Sequence, residues 1–185
     1  MLQPRYLLHT GEGDRFGEAV HHIDVYAFDS LGIYRKMFRD KGAHLKNGYR
    51  MPIDLPEGKW TFLCLGGKVG DYEIGIFKTG IPQQFSPAVS PGITTLSDFR
   101  VKAYFEQKEN LEYSLGELFF GRLDSVEITA DNGGTGVVDL MKNTNKIEVR
   151  VKGIADGSSA RITSDNGRFN SENVTPADAG TIIYV

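Results

Sequence analysis

Few residues in this chain are equipped for chemistry. There are four histidines, His9, His21, His22 and His44, and one cysteine, Cys64. A zinc-protease helix sets two histidines four apart around a glutamate, and no pair here has that spacing. His21 and His22 are adjacent, so on a strand they point to opposite faces and do not share a metal. A thiolate nucleophile needs an electropositive, partly open setting. Cys64 instead lies in the apolar run Phe62–Leu65, which suits a buried, inert thiol. One cysteine makes neither an internal disulfide nor a four-cysteine zinc site.

The remaining motifs resolve in the same way. Gly66-Gly67-Lys68-Val69-Gly70 has the glycines and lysine of a phosphate loop, but Val69 stands where that loop has Ser or Thr, and a strand pattern resumes at Tyr72. A turn between strands is the simpler assignment. The nucleophile signature Gly-x-Ser-x-Gly is missing. Asp131-Asn132-Gly133-Gly134 lacks the spacing and closing glutamate of a calcium loop and suits a hairpin turn. Asn173-Val174-Thr175 fits the N-glycosylation triplet, a pattern short enough to arise by chance. These residues point to no catalytic constellation, cofactor or metal, and the expectation is a protein that is not an enzyme.

The elements that carry these residues follow a period of two. Ile23, Val25 and Ala27 alternate with Asp24 and Tyr26, and Tyr49, Met51, Ile53 and Leu55 alternate with Arg50 and Asp54. Trp60, Phe62 and Cys64 share one face, with Thr61, Leu63 and Leu65 on the other. Tyr72–Ile76, Phe99–Phe105 and Ile147–Val151 repeat the pattern, which is that of strands. Asn47-Gly48, Asn132-Gly133, Asp156-Gly157 and Asn166-Gly167 supply the positive φ of tight turns, and Pro56-Glu57-Gly58 supplies another turn. Short strands with frequent turns predict an all-β fold, a β-sandwich of about seven to ten strands with little helix. One or two helical turns are expected within Gln107–Leu115, and Asp71–Pro91, with its Gly80, Pro82, Pro87 and Pro91, suits a long surface excursion.

Length and charge bound the rest. The 185 residues suffice for one domain with its own core. Glycine, 22 of 185, is well above the usual share, as a turn-rich fold requires. The net charge is −3, and the one dense basic stretch, Arg35–Lys46, also holds Asp40 and matches no nucleic-acid motif, so no nucleic-acid partner is expected. No apolar run approaches the roughly 20 residues of a membrane-spanning helix.

One ordered set of segments is more specific. Val20-His21-His22-Ile23-Asp24-Val25-Tyr26-Ala27-Phe28-Asp29-Ser30-Leu31-Gly32 resembles the opening strand and "Val-Tyr-x-Phe-Asp-x-x-Gly" of the fimbrillin-A-associated anchor proteins, the FimB-like anchor subunits of Bacteroidales fimbriae. Ile53–Phe62, with Trp60 at the usual aromatic position, resembles the next strand. Glu117–Gly121 resembles the later "Leu-Phe-x-Gly", and Val137–Ile147 resembles "Val-x-Leu-x-Arg-x-x-x-Lys-Ile", with Lys142 in place of Arg. Ile162–Phe169 and Ile183-Tyr184 resemble the closing motifs, with Phe169 in place of Tyr.

The resemblance implies a transthyretin-like, Greek-key β-sandwich over residues 1–185, the N-terminal domain of a longer two-domain lipoprotein subunit. It implies a fimbrial anchor or minor subunit at the cell surface that tethers a fimbria to the outer membrane through a lipid anchor outside this chain. It implies no cofactor, and other fimbrial subunits as partners. Cys64 is too far inside to carry the lipid. The family's assembly by strand exchange makes a short terminal strand, Arg5, Tyr6, Leu7, Leu8 and His9, the candidate for subunit contact. The alternative is a β-sandwich binding module for glycans or host surface proteins, with Tyr49, Tyr72 and Tyr113 as candidate stacking residues. An enzyme whose site assembles only on folding is the third reading.

Overall fold

In a computed structural model, the described residues are 1–7, 13–78, 84–103, 115–131, 133–145, 150, 152–153, 162–164, 167–177 and 182–184. The chain is mostly β. In order the elements are β1 (Leu2–Tyr6), α1 (Phe16–Ala19), β2 (His22–Phe28), β3 (Tyr34–Lys41), β4 (Gly58–Gly67), β5 (Tyr72–Lys78), β6 (Gln84–Ser86), β7 (Phe99–Ala103), β8 (Leu118–Ile128), β9 (Gly136–Lys142), β10 (Ile162–Ser164), β11 (Arg168–Asn170) and β12 (Ile182–Tyr184). The described strands number twelve. Four of them, β6, β10, β11 and β12, are three residues long, too short to show a period in sequence.

A six-stranded sheet in the order β1-β9-β8-β4-β2-β3 forms the frame, and a four-stranded sheet, β11-β7-β5-β6, packs on one face of it. The period of two in β2 and β4 sends apolar side chains to both faces. Ile23, Val25, Ala27, Trp60, Phe62 and Cys64 enter one core cluster, and Tyr26, Phe28, Leu63 and Leu65 enter the other. The second sheet closes the latter cluster with Phe99 and Val101 of β7, and Phe99 meets Tyr26 and Phe28 edge-on at 5.2 and 5.9 Å. The first cluster is covered by Phe16, Val20, Leu45 and Met51 rather than by a sheet. Two-sided burial removes the polar face that an antiparallel sheet commonly turns to water.

Two expectations are corrected. Tyr49–Leu55 is not a strand: Met51 makes only an isolated bridge to Leu2, while Tyr49, Ile53 and Leu55 pack against the first cluster. Within Asp71–Pro91 the strand expected at Tyr72–Ile76 is present as Tyr72–Lys78, but it is an interior strand of the second sheet rather than part of a surface excursion, paired on one side to β7 and on the other to β6. The single described α-helical turn, α1, replaces none of the expected ones, since Gln107–Tyr113 and Ser114 lie outside the described residues. Ile147–Val149 and Val151 lie outside them as well, as do Asn132, Asp156, Gly157 and Asn166. Asn47-Gly48 forms its turn with Gly48 at φ 78°.

The motif residues of the opening segment work on the fold. Asp29 Oδ1 accepts the N–H groups of Leu31 and Ile33 at 2.9 and 3.0 Å, and Arg35 Nε donates to Asp29 Oδ2 at 2.6 Å. Gly32, at φ 71°, completes this turn between β2 and β3. Trp60 is buried and its Nε1–H donates to the Pro56 carbonyl at 3.1 Å.

Candidate functional site

The two edges of the six-stranded sheet differ in chemistry. At the β1 edge, the strand begins at Leu2 rather than Arg5 and runs parallel to β9, so Pro4 lies inside it. Gly136 N–H donates to Met1 O, which sets the alternation: Leu2, Pro4 and Tyr6 turn their backbone groups away from β9. Leu2 exchanges bonds with Met51 at 2.9 and 2.8 Å. Pro4 brings no N–H to that side. Tyr6 N–H donates to Asp14 Oδ1 at 2.9 Å, and Tyr6 O accepts from Arg15 N–H at 2.8 Å. This edge is bound within the fold.

The side chains of the expected terminal strand tie it further. Arg5 grips Asp139 of β9 through both Nε and Nη2, the latter at 3.1 Å, and this hydrogen bond holds the Asp139 carboxyl below the usual carboxylate range. The Tyr6 ring meets Phe119 edge-on at 4.8 Å. Leu7 is half-exposed and bridges Asp14. Leu8 and His9 lie outside the described residues.

At the β3 edge the pattern is different. Gly42 N–H donates to His21 O, so Lys36, Phe38 and Asp40 face β2, while Met37, Arg39 and Lys41 turn their backbone groups outward. Tyr34, also outward, is covered by Thr94 O and Gly92 N–H at 2.8 Å each. Lys41 N–H is taken by Asp40 Oδ1 at 2.8 Å.

Behind this edge sits a carboxylate that the sequence pattern placed on a strand face without distinction. Asp24 is fully buried. It accepts Arg39 Nε and Nη2 at 2.7 Å each, one on each oxygen, and contacts His22 Nε2 at 2.8 Å. A buried charge needs such partners. Nearby, Asp40 accepts the Tyr49 hydroxyl and contacts His44 Nε2 at 2.9 Å, and these bonds hold its carboxyl below the usual range. Burial pushes the Tyr26 hydroxyl and the Cys64 thiol well above their ordinary values, so both stay protonated and unreactive.

At the opposite end of β1 an open cleft is lined by Tyr6, Phe119, the Arg15–Glu18 pair at 2.6 Å and the Lys142–Glu117 pair. It holds ion pairs and an aromatic wall, with no nucleophile beside a base. Among the described residues no group of three or more His, Cys, Asp or Glu side chains forms a metal site. Lys68 caps a short 3-10 turn, Val69–Asp71, between strands, and its glycines hold no phosphate cradle at a helix. The Asn173 amide is engaged reciprocally with that of Asn143, with Nδ2 to Asn143 Oδ1 at 3.0 Å. The proposed stacking tyrosines serve the core. Tyr49 lies parallel to Phe16 with ring centres 6.2 Å apart, and Tyr72 packs on the second cluster with its hydroxyl on Gly116 O. Tyr113 lies outside the described residues.

The sequence profile of the fimbrillin-A associated anchor proteins Mfa1 and Mfa2 matches residues 1–185. The chain belongs to that family. Comparison with curated protein sequences returned no match. Among solved structures, this anchor-family chain is similar to the fimbrial anchor protein Mfa2 from Porphyromonas gingivalis, with a TM-score of 0.67 and 18% identity over all of this chain and 65% of that one. It is also similar to a candidate adhesin from Bacteroides thetaiotaomicron, with a TM-score of 0.72 and 23% identity over 99% of this chain and 60% of that one. A candidate polysaccharide-binding protein from the same organism gives 0.71 and 18% over 98% and 62%. At these identities the likeness is one of fold. The chain spans about three-fifths of the length of the solved structures it matches. The family's motif residues Asp29, Gly32 and Trp60 build turns and core here.

Proposed function

We propose that the chain is the first of two β domains of a fimbrial anchor or minor subunit, tethered to the outer membrane by a lipid that lies outside residues 1–185. Its work is mechanical and adhesive: it holds the base of a fimbria and meets neighbouring subunits through sheet edges. The observation that carries this reading is the family match along the whole chain. The polar clusters support it, because each ion pair described above closes a turn or ties two strands and none assembles a nucleophile with a base. Strand exchange at a sheet edge supplies main-chain hydrogen bonds for affinity and alternate side chains for specificity. A partner reaching the edge that carries Arg5, Tyr6 and Leu7 must displace the bonds of Met51, Asp14 and Arg15.

Deleting the gene in its host and imaging the cells by electron microscopy tests the reading. The expected result is fimbriae of altered length shed into the medium. Fimbriae of normal length still attached to cells overturn it. The glycan-binding alternative draws on the neighbour described as a candidate polysaccharide-binding protein, and the packing of the partly buried Tyr49 and Tyr72 against the core clusters weighs against aromatic stacking as its means.

A further inference from the structure

We infer that the open edge of β3, from Met37 to Lys41, receives an extended acidic segment of a partner polypeptide as a seventh strand. This rests on the subunit-contact reading above and names the edge and the chemistry of what docks there. The two edges of the sheet are not equivalent, and the difference selects one of them. At β1 the outward groups of Leu2 and Tyr6 have partners, and Pro4 lacks a donor. At β3 the outward N–H and C=O of Met37 and Arg39 and the C=O of Lys41 face no strand among the described residues, β3 being the last in the order. Unpaired ladder groups on an edge are a template for another strand.

The side chains say what kind of strand fits. Met37 packs toward the second core cluster and Phe38 toward the first, so both faces of the edge offer a partly buried apolar contact for an apolar residue on the newcomer. Around them, Arg35–Arg50 carries six cations and one acid in a chain of net charge −3, which leaves the remainder at −8. Arg35, Lys36 and Arg39 have partners in Asp29, Asp54 and Asp24. Lys41, Lys46 and Arg50 are exposed and leave the edge net positive. Lysine on an edge also deters self-pairing, because a second basic edge is repelled. The same charges attract an extended segment with acids flanking an apolar centre.

The test uses the full chain and a fluorescein-labelled peptide, TEEVIEET, with its lysine counterpart, TKKVIKKT, followed by fluorescence anisotropy at low and high salt. The acidic peptide is expected to bind saturably, to weaken as salt screens the edge, and to outcompete the basic one. Met37→Pro removes an outward donor and no bond to β2, and it is expected to weaken binding roughly tenfold, the value of about one hydrogen bond. Lys41→Glu leaves the backbone intact and keeps the test valid should the proline variant melt early. It is expected to weaken the acidic peptide and to admit the basic one. No saturable binding, equal binding of the two peptides, or affinity unchanged in both variants overturns the β3 assignment. Such a result leaves the anchor reading to the gene-deletion experiment, whose outcome does not depend on which edge is used.

Discussion

Replacing Arg39 by Met is the sharpest perturbation of this fold. Asp24 has no exposed surface, while the Arg39 side chain is 51% exposed, so the carboxylate depends on a guanidinium that is itself half in water. Methionine keeps the apolar stem and removes both 2.7 Å hydrogen bonds, leaving His22 at 2.8 Å as the remaining side-chain partner. Breaking a buried pair typically costs 3–5 kcal/mol; the exposed head of Arg39 and the surviving His22 contact put this one at the low end, about 3 kcal/mol. For a domain of this size that is a fall in Tm of about 6–12 °C. The assay is urea unfolding at pH 7 followed by the fluorescence of the single tryptophan, Trp60, which is buried beside β8. The double variant Asp24→Asn with Arg39→Met removes the stranded charge and is expected to be more stable than Arg39→Met alone. A loss below about 1 kcal/mol in the single variant, or a double variant less stable than the single, refutes the view that Arg39 neutralises a buried carboxylate.

Three further outcomes follow from the same geometry. Cys64 is expected to resist a thiol-specific reagent in the native protein and to react fully in urea, because burial both hides it and raises its pKa; rapid native labelling contradicts this. Asp139 and Asp40 have lowered carboxyl pKa values, so their contribution to stability is present above the unfolded value of about 4 and is lost as the pH falls through the lower folded values; Asp139→Asn is expected to flatten the acid limb of a pH–Tm curve, and an unchanged limb argues against it. Gly75→Ala is expected to cost several kcal/mol or prevent folding, about the scale of severe overpacking, since its Cβ would lie 2.0 Å from the Ser86 carbonyl oxygen; a wild-type melt excludes that close approach of β5 and β6.

The parts of the fold legible in sequence were those where local pattern and final environment agree. β2 and β4 announce themselves because alternate side chains feed two cores, and both cores are apolar. Tyr49–Leu55 shows the same alternation without being a strand, because its apolar side chains pack on a cluster while its backbone bonds across only at Met51. Tyr72–Lys78 was legible as a strand from its alternation, but the glycines and prolines that follow it hid its interior place in the second sheet, where Gly75 lets β6 pass close by. The parallel partnership of β1 with β9 joins residues 134 apart, and no local period encodes a contact at that distance. The Asp24–Arg39 pair was closer to reach: once the Asp29–Gly32 turn is recognised, the β2–β3 register sets the two opposite each other. What local pattern lacked was any sign that Asp24 would be sealed from water.

The parallel run of β1 beside β9 has a mechanical side. Tension applied at Met1 along the strand axis draws β1 lengthwise past its neighbour, so the ladder from Leu2–Gly136 to Tyr6–Leu140 is loaded in shear, all bonds sharing the force. A hairpin pulled at its open end peels one bond at a time. The Arg5–Asp139 clasp and the Tyr6–Phe119 contact lie across the same line of slip and act as detents against it. A subunit held from its N-terminal side would thus meet the pull with the strand set to bear it.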